Sequence, residues 1–169
     1  MFRHVPFANP DELIRRVYKY VSYRVGDGPE AEDITSEVFE RALRYRDSYD
    51  ASRGDAAGWL IGIARRCIAG AARPLVLDPE GADAQAPGRM EEEVEQRVAL
   101  KTALAVLSDR DRELLALRYG GDLTAGQIAD VLEMKVNAVE VSLHRALARL
   151  REILESEGIG EAKELLATL

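Results

Sequence analysis

Apolar residues recur at three- and four-residue intervals along most of this chain, a spacing that predicts amphipathic α-helices. The longest stripe belongs to a helix predicted over 136–154 and consists of Val136, Val139, Leu143, Ala146, Leu147, Leu150, Ile153 and Leu154. A shorter stripe just before it consists of Ile128, Val131 and Leu132. Glu133-Met134-Lys135 separates the two stripes and has the length of the turn in a helix-turn-helix unit. Because the second helix of such a unit enters the major groove of DNA, residues 123–154 indicate nucleic-acid binding.

The start of the shorter helix is also marked by polar residues. Thr124 is followed three positions later by Gln127. This spacing is typical of a capping box, in which each side chain bonds the other residue's backbone N–H. We therefore expect the first helix of the unit to begin directly after Thr124.

Three more helices are predicted in the N-terminal half. The first ends at Gly26-Asp27-Gly28, and the second begins at Pro29 with Asp27 or Gly28 as its cap. The third runs from about Asp55 to Ala72, and Pro74 stops it. The residues expected to face the core are Leu13, Ile14, Val17, Tyr18, Val21 and Val25 in the first helix, Ile34, Val38, Phe39, Ala42, Leu43 and Tyr45 in the second, and Trp59, Leu60, Ile63, Ala64 and Ile68 in the third.

The C-terminal half holds two predicted helices before the helix-turn-helix unit. The apolar side of one consists of Val94, Val98, Leu104 and Leu107. Ser108 is placed to cap the other, which Gly120-Gly121 breaks and whose buried residues are Leu114, Leu115 and Leu117. Each half is therefore predicted to be entirely helical.

The charge distribution divides the chain into three parts. Residues 1–73 hold 12 basic and 11 acidic groups, 74–96 hold 1 and 7, and 97–169 hold 10 and 12. Most of the net charge of −7 thus lies in PLVLDPEGADAQAPGRMEEEVEQ, whose Pro, Gly and Ala content indicates a flexible linker. The predicted fold is all-α, with two small helical domains, 1–73 and 97–169, joined by a flexible acidic linker over 74–96. The mildly acidic C-terminal domain is unusual for a protein that contacts phosphates through Lys and Arg.

Several classes of protein are disfavoured by what the sequence lacks. No apolar run approaches the roughly 18 residues that span a bilayer, and no signal-peptide pattern opens the chain, so we expect a cytoplasmic protein without membrane insertion. Cys67 is the single cysteine, and its apolar neighbours favour an inert buried thiol. The two histidines, His4 and His144, have no Cys or carboxylate partners at metal-ligand spacing. Without a phosphate-binding glycine loop or a nucleophile motif, we expect no enzymatic activity, no metal and no cofactor.

Two stretches taken together are similar to a known family. AEDITSEVFERALRY at 31–45, YDASRGD at 49–55 and GWLIGIARR at 58–66 resemble region 2 of a bacterial RNA polymerase sigma factor. LSDRDRELLALRYGGDLTAGQIADVLEMKVNAVEVSLHRALARLR at 107–151 resembles region 4. Their order and the short linker match the small extracytoplasmic-function (ECF) group. The resemblance implies an alternative sigma factor that binds core RNA polymerase, recognises the −10 and −35 promoter elements and directs transcription initiation.

For the region 2 part, the resemblance implies a loop that captures an unstacked base of the −10 element, followed by a helix on the adjoining DNA. A base out of the stack needs aromatic or polar edges, and its phosphates need cations. Trp59 is expected to belong to the core rather than to the base platform, because its spacing to Ile63 is helical. The residues that match these contacts are Tyr45, Arg46, Asp47, Ser48, Tyr49, Ser52, Arg53, Arg65, Arg66 and Arg73. Arg66 and Gly70 replace an Asn and an Asp that the family often has at these positions.

For the region 4 part, the resemblance implies a −35 contact through Thr124, Lys135, Asn137, Ala138, Glu140, Val141, Ser142, His144, Arg145 and Arg149. The family commonly has Lys and Arg where this chain has Glu140 and Ser142, so a carboxylate and a hydroxyl replace two cations. Glu140 can accept from a cytosine amino group. It can instead be the N3 partner of a helix cap at Asn137, which is the preferred interpretation. Ala138 or Val141 can contact a thymine methyl group.

The resemblance also implies protein partners. Asp33, Glu37, Arg41 and Arg44 match the helix that docks on the clamp helices of the polymerase β′ subunit, and region 4 implies a contact with the β flap. Without the resemblance, these four residues would be an ordinary solvated helix face. Promoter DNA is the third expected partner, and an anti-sigma factor is a further candidate.

Two other functions compete with this one. A sigma mimic keeps the sigma shape but binds an anti-sigma factor instead of DNA. The net charge of −7 and the residues Glu140 and Ser142 favour it, whereas the arginines retained in the N-terminal loop disfavour it. An ordinary helix-turn-helix repressor would leave residues 11–73 unexplained.

Overall fold

A computed structural model describes residues 7–71 and 90–158. These residues form seven α-helices and no strand, which confirms the predicted all-α fold. The helices are α1 (Pro10–Val25), α2 (Pro29–Arg44), α3 (Ala56–Ala71), α4 (Met90–Val106), α5 (Asp109–Leu115), α6 (Ala125–Leu132) and α7 (Val136–Ser156). A 3-10 turn, Arg46–Ser48, follows α2, and a π-helical turn, Ala116–Gly120, continues α5. Arg73, His4 and residues 74–89 of the expected linker lie outside the described residues.

Helices α1, α2 and α3 pack against one another through their apolar stripes. The tight connection between α1 and α2 depends on two glycines: Gly26 ends α1 at φ 91°, and Gly28 precedes α2 at φ 120°. These left-handed backbone angles cost glycine little because it has no Cβ. Pro29 occupies the first turn of α2 as predicted, and Gly28, not Asp27, is the N-cap residue.

Three residues expected to face the N-terminal core are exposed. Ile14 is 45% exposed, Leu43 54% and Tyr45 56%. They lie at the flanks or the end of their stripes. Apolar spacing identifies a stripe, but it does not show how much of its width the neighbouring helices cover.

The C-terminal half begins earlier than the sequence suggested. Helix α4 starts at Met90, so residues 90–96 at the end of the expected linker are helical. Glutamate is a good helix former, so a glutamate-rich sequence is compatible with a helix. Val94 and Val98 lie on α4 as predicted but are 41% and 46% exposed.

Helix α5 begins as the sequence predicted. The hydroxyl of Ser108 accepts a hydrogen bond from the backbone N–H of Asp111 at 3.2 Å. Its buried residues include Leu114 and Leu115, and Leu117 is buried in the π-helical turn that follows.

The helix-turn-helix unit is formed by α6 and α7. Both hydrogen bonds of the predicted capping box are present: the Gln127 N–H donates to Thr124 Oγ1 at 3.2 Å, and the Thr124 N–H donates to Gln127 Oε1 at 2.8 Å. Glu133 adopts a left-handed backbone (φ 54°, ψ 44°), which lets the chain turn sharply after α6. The buried stripe of α7 is confirmed by Val139, Ala146, Leu147, Leu150 and Leu154, whereas Val136 at its start is 47% exposed.

The two halves of the described chain pack directly on each other. Helix α1 lies against the π-helical turn so closely that a Cβ at Gly120 would be 2.9 Å from the Cα of Tyr20. The Arg16 guanidinium donates to the carbonyl oxygens of Gly121 at 2.9 Å and Asp122 at 3.2 Å. Buried residues of both halves therefore form one continuous core.

Candidate nucleic-acid interface

The segment 45–55 is a largely exposed loop between α2 and α3. Tyr45 and the 3-10 turn Arg46–Ser48 are exposed, and the Ser48 hydroxyl donates to the Tyr45 carbonyl at 2.7 Å. Asp50 Oδ1 accepts from the Ser52 backbone N–H at 2.9 Å and from its hydroxyl at 2.6 Å. These hydrogen bonds from Ser52 hold the pKa of the Asp50 carboxyl below its usual value. The Ser52 hydroxyl thus shapes the loop.

Two aromatic rings, those of Tyr49 and Trp59, pack against each other at this loop. The ring centroids of Tyr49 and Trp59 are 5.3 Å apart with a tilt of 52°, and the Tyr49 hydroxyl donates to the Gly54 carbonyl at 3.3 Å. Burial raises the pKa of the Tyr49 hydroxyl, so it stays a neutral donor near pH 7. Trp59 was expected in the core, and it does pack against the core, but it is only half-buried and also lines the pocket beside the loop. The indole and phenol rings therefore line an open pocket beside the loop.

The arginines of α3 differ in their surroundings. Arg66 is exposed and donates to the Gly62 carbonyl one turn earlier at 3.3 Å. Arg65 instead faces the C-terminal half, where its Nε donates to Glu113 Oε1 at 2.8 Å and its Nη1 to the Val131 carbonyl at 3.1 Å. Arg65 is one of the candidate −10 cations, and its guanidinium is therefore already bound by residues of the C-terminal half.

Glu113 takes part in contacts that the sequence pattern did not predict. Its carboxylate pairs with Arg24 and Arg65, and it accepts a hydrogen bond from the Tyr20 hydroxyl at 2.9 Å. The side chain is only 12% exposed. Burial raises the pKa of Tyr20 to about 12, so its hydroxyl remains a donor to the carboxylate. Nothing in the local sequence around Glu113 marks it, because its partners lie 48 or more positions away.

The candidate −35 residues of α7 lie together on its outward side. Asn137, Ala138, Glu140, Val141, His144 and Arg145 are all exposed, as is Lys135 just before the helix. Ser142 is half-buried at the edge of this face. The surface therefore combines Lys135 and Arg145 with one carboxylate and with small apolar groups.

Two of the predicted −35 residues already have structural partners. The Thr124 hydroxyl accepts the capping hydrogen bond at the start of α6. Arg149 Nη1 lies 2.6 Å from Oδ2 of Asp111, whose side chain is 8% exposed. Arg149 thus neutralises a buried carboxylate, and its half-exposed side chain is less available to a phosphate than that of Arg145.

The preferred interpretation of Asn137 and Glu140 as a cap and its partner is wrong. The N-cap of α7 is Lys135, whose extended backbone (φ −75°, ψ 142°) precedes Val136, and no side chain caps this helix. Asn137 already lies inside the helix, so its side chain is not placed to accept from the N–H groups two or three residues on. Glu140 is left exposed on the outward face.

The four candidate polymerase-binding residues follow one face of α2. Asp33, Glu37, Arg41 and Arg44 are spaced by four, four and three positions, which places them side by side on a helix. Glu37 and Arg41 form an ion pair of 2.5 Å, and each side chain remains more than two-fifths exposed. The structure thus brings these residues together on a half-exposed charged strip.

The described residues offer neither a cluster of metal ligands nor a membrane-spanning helix. In the described ranges, no group of three or more His, Cys, Asp or Glu side chains could hold a metal ion. Cys67 is buried as expected, and burial raises the pKa of its thiol. None of the helices described is long and apolar enough to cross a membrane.

Comparison with protein families yields two matches in sequence order. A Sigma-70 region 2 model matches residues 11–73, and a Sigma-70 region 4 model matches residues 97–150. The ECF RNA polymerase sigma factor SigD of Mycobacterium bovis is 32% identical over 160 residues, covering 84% of this chain and 73% of the relative. The ECF sigma factor BldN of Streptomyces coelicolor is 31% identical, covering 87% of this chain but 59% of BldN.

Two solved structures share the fold. The sigma factor RpoE of Bartonella quintana, in complex with the anti-sigma factor NepR, has a TM-score of 0.66 at 19% identity, covering 85% of this chain and 92% of RpoE. CnrH, in complex with the cytosolic domain of CnrY, has a TM-score of 0.62 at 20% identity, with coverages of 90% and 93%. Because these matches span most of the chain, they include helices from both of its halves.

Proposed function

We propose which surface of the chain performs each step of transcription initiation, on the basis that the chain belongs to the ECF group of bacterial RNA polymerase sigma factors. The protein is an alternative sigma factor that binds core RNA polymerase, recognises the −10 and −35 promoter elements and directs transcription initiation. One observation supports the proposal: the same chain has a loop with packed aromatic rings in its region 2 part and an exposed outward face of α7 in its region 4 part. Residues 1–73 and 90–169 are the two functional units, and residues 74–89 between them are the tether.

The −10 element is bound by the loop 45–55 and by α3. Tyr49 and Trp59 offer flat faces on which an unstacked base can lie. Arg53 and Arg66 are exposed and can neutralise the phosphates on either side of that base. Trapping the base favours strand separation without nucleotide hydrolysis, because the captured base cannot return to the duplex stack. No enzymatic activity of the chain itself is needed.

The −35 element is bound by the outward face of α7 in the major groove. Ala138 and Val141 can contact thymine methyl groups, and Glu140 can accept from a cytosine amino group. Lys135, His144 and Arg145 remain as phosphate contacts. Few cations make this a weak DNA-binding module, so we propose that tethering to the polymerase supplies the effective concentration it lacks.

The charged strip on α2 is the proposed contact with the clamp helices of the β′ subunit. Region 4 contacts the β flap, so that the two halves of the chain are held apart on the polymerase. Action on RNA polymerase places the protein in the cytoplasm.

Run-off transcription tests this function directly. We expect the purified chain, mixed with core RNA polymerase and a promoter library, to produce transcripts from a defined subset of promoters that core polymerase alone does not use. The full-length protein is required, since both promoter elements must be engaged. Failure to bind core polymerase and to start transcripts from any member of the library would contradict the proposal.

The sigma mimic is the second candidate function, and a specific feature favours it. Glu140 stands exposed at the centre of the face that would meet DNA, in a chain with a net charge of −7. A mimic would give no transcripts in the same assay but would bind an anti-sigma factor at the surfaces assigned here to DNA and polymerase.

Replacing Glu140 by Lys distinguishes base recognition from simple repulsion. Each cation paired with a phosphate contributes about one unit to the slope of log K against log salt concentration. We expect Glu140→Lys in the full-length chain to steepen the slope for random duplex DNA by about one unit, measured by fluorescence anisotropy. If Glu140 contacts a cytosine, the variant holoenzyme should also lose its preference for that base pair in the −35 element.

The matched control for this prediction is Glu152→Lys, the same charge change at an exposed position three turns further along α7. It should leave the salt slope nearly unchanged, because twelve residues of helix place it about 18 Å from Glu140 along the axis of α7, away from the N-terminal end that enters the groove. Equal slopes for the two variants would show that the face around Glu140 does not meet the phosphate backbone.

A further inference from the structure

A cavity of about 370 Å³ lies between the loop 45–55 and helix α6. Small-molecule sites in proteins typically have volumes of about 300 to 1,000 Å³, so this cavity is large enough to hold a ligand. Tyr49 and Trp59 line it from the N-terminal half of the chain, and Asp130 and Val131 line it from the C-terminal half. We call it the loop–α6 cavity. Its lining determines which class of ligand it suits.

The aromatic rings of the loop–α6 cavity form a corner. Those of Tyr49 and Trp59 are tilted by 52° with their centroids 5.3 Å apart, so they do not present two parallel faces. A flat ligand can stack on only one of these faces at a time, whereas a slender cationic chain can contact both. The faces of aromatic rings are negative and attract cations, and the indole of Trp attracts them most strongly. The corner therefore suits a cationic ligand.

The charged groups of the loop–α6 cavity also favour a cation. Three carboxylates line it, those of Asp50, Asp55 and Asp130, against one guanidinium, that of Arg53. Three negative groups and one positive group give a formal net charge of −2. Because like charges repel, this lining disfavours a phosphate or a carboxylate as ligand. Aromatic faces and excess negative charge thus select the same class of ligand.

The three carboxylates belong to two different elements. In the loop, Asp50 Oδ1 accepts from Ser52, and Asp55 Oδ1 accepts from the Gly58 N–H at 2.8 Å. These hydrogen bonds hold both carboxylates in place and leave the second oxygen of each for a ligand. Asp130 belongs to α6 and makes no hydrogen bond or ion pair with another residue that the structure describes. A ligand with two separated positive groups can therefore pair with the loop and with α6 at once.

We propose that the loop–α6 cavity binds an aliphatic diamine. One ammonium group donates to the loop carboxylates of Asp50 and Asp55, and the other donates to Asp130. The methylene chain between them lies across the rings of Tyr49 and Trp59, as the stem of a lysine covers apolar surface. A primary ammonium group has three N–H donors for these carboxylates, whereas a quaternary ammonium group has none. The charge of a diamine also balances the formal charge of the lining.

A bound diamine would share its aromatic contacts with −10 DNA. Tyr49 and Trp59 are the rings on which an unstacked base is proposed to lie, so the base and the methylene chain exclude each other. A diamine should therefore compete with single-stranded −10 DNA for the chain. This competition rests on the proposed function, whereas the binding of the diamine does not.

The binding experiment uses the fluorescence of Trp59, the single tryptophan of the chain. The full-length protein is titrated with putrescine, a four-carbon diamine, at constant ionic strength, and calorimetric titration measures the same affinity without relying on fluorescence. We expect saturable binding of putrescine. Choline, a quaternary ammonium compound, should bind at least about tenfold more weakly, because it cannot donate hydrogen bonds to the carboxylates. The uncharged diol of the same length as putrescine should not bind.

Two matched variants locate the site. Asp130→Asn removes the α6 carboxylate and should weaken putrescine binding about threefold or more, the effect of losing one partly exposed ion pair. Asp122→Asn makes the same change at an exposed aspartate that does not line the cavity, and it should bind putrescine like the parent chain. Anisotropy of a labelled single-stranded −10 oligonucleotide, taken from a promoter found by run-off transcription, then measures competition. Putrescine should release it from the parent chain and from Asp122→Asn at lower concentrations than from Asp130→Asn.

Several outcomes overturn the diamine site. The site is rejected if putrescine does not bind in either titration, or if choline binds as tightly as putrescine. Equal affinities of Asp130→Asn and the parent chain reject it as well, and equal losses in Asp130→Asn and Asp122→Asn show only a general attraction of cations to an acidic protein. If putrescine binds at Asp130 but does not release the oligonucleotide, the site stands and the proposed role of the two rings in −10 binding falls. Failure of run-off transcription at every promoter likewise rejects the proposed function alone.

Discussion

Reversing the charges on the α2 strip, with Asp33→Lys, Glu37→Arg and Arg41→Glu combined, is expected to abolish co-purification with core RNA polymerase. Like charges placed against each other at an interface cost several kcal/mol, and each 1.4 kcal/mol is a tenfold loss of affinity. We therefore expect binding at least about 100-fold weaker. The fold should survive, because the Glu37–Arg41 ion pair is re-formed with its charges exchanged.

The matched control reverses three exposed charges on α1 with the same change in net charge: Asp11→Lys, Glu12→Arg and Arg15→Glu. This variant should retain polymerase binding, apart from a small loss of stability where Lys and Arg now meet the N-terminus of α1. Pull-down and run-off transcription check both variants. If the α2 variant binds polymerase normally while remaining folded, the strip is a solvated surface and polymerase docks elsewhere.

The substitution Arg112→Ala is expected to destabilise the fold more than any exposed substitution. Arg112 is 8% exposed and donates to the carbonyl oxygens of Leu104, Ala105 and Leu107 at 2.8 to 2.9 Å. The carbonyls of Leu104 and Ala105 belong to the last turn of α4, where carbonyls lack helical partners, and that of Leu107 follows directly after the helix. Burial lowers the pKa of the guanidinium, but it remains charged and bonded at pH 7.

Removing the Arg112 side chain leaves these buried acceptors without donors. We expect a loss of about 3 kcal/mol in the free energy of unfolding, or roughly 10 °C in the melting temperature. Arg112→Lys should recover only part of this, because an ammonium group lacks the planar fork that reaches three carbonyls. Arg110→Ala, two residues away but exposed, should change stability by less than about 0.5 kcal/mol. If chemical denaturation shows only a small loss in the free energy of unfolding for Arg112→Ala, the hydrogen bonds of Arg112 do not stabilise the end of α4.

Features set by neighbouring residues were predictable from the sequence. The apolar spacing predicted every helix that the structure describes, and the capping box of Thr124 and Gln127 is present with both hydrogen bonds. Helix periodicity and capping depend on residues within one or two turns of each other, so the linear pattern contains the necessary information. The outward face of α7 was predictable for the same reason, because the residues opposite a buried helical stripe are the exposed ones.

Predictions that needed exact backbone positions were less successful. Asn137 was expected to cap α7, but the left-handed turn at Glu133 brings the chain back into the helix at Val136, so Lys135 takes the cap position. Residues 90–96 were assigned to a linker on composition, although their glutamates also suit a helix. In both cases the local sequence is compatible with two conformations, and the sequence pattern does not choose between them.

By itself, the sequence determined the all-α fold, the helix-turn-helix unit, the family and the groups of residues that share a helix face. Only the tertiary structure decided which charges meet: Glu113 with Arg24 and Arg65, and Asp111 with Arg149. It also decided that Gly120 lies against the backbone of α1. These contacts join positions 38 to 100 residues apart, and they depend on how whole helices pack. Periodicity describes one helix at a time, so it carries no information about which helix lies opposite.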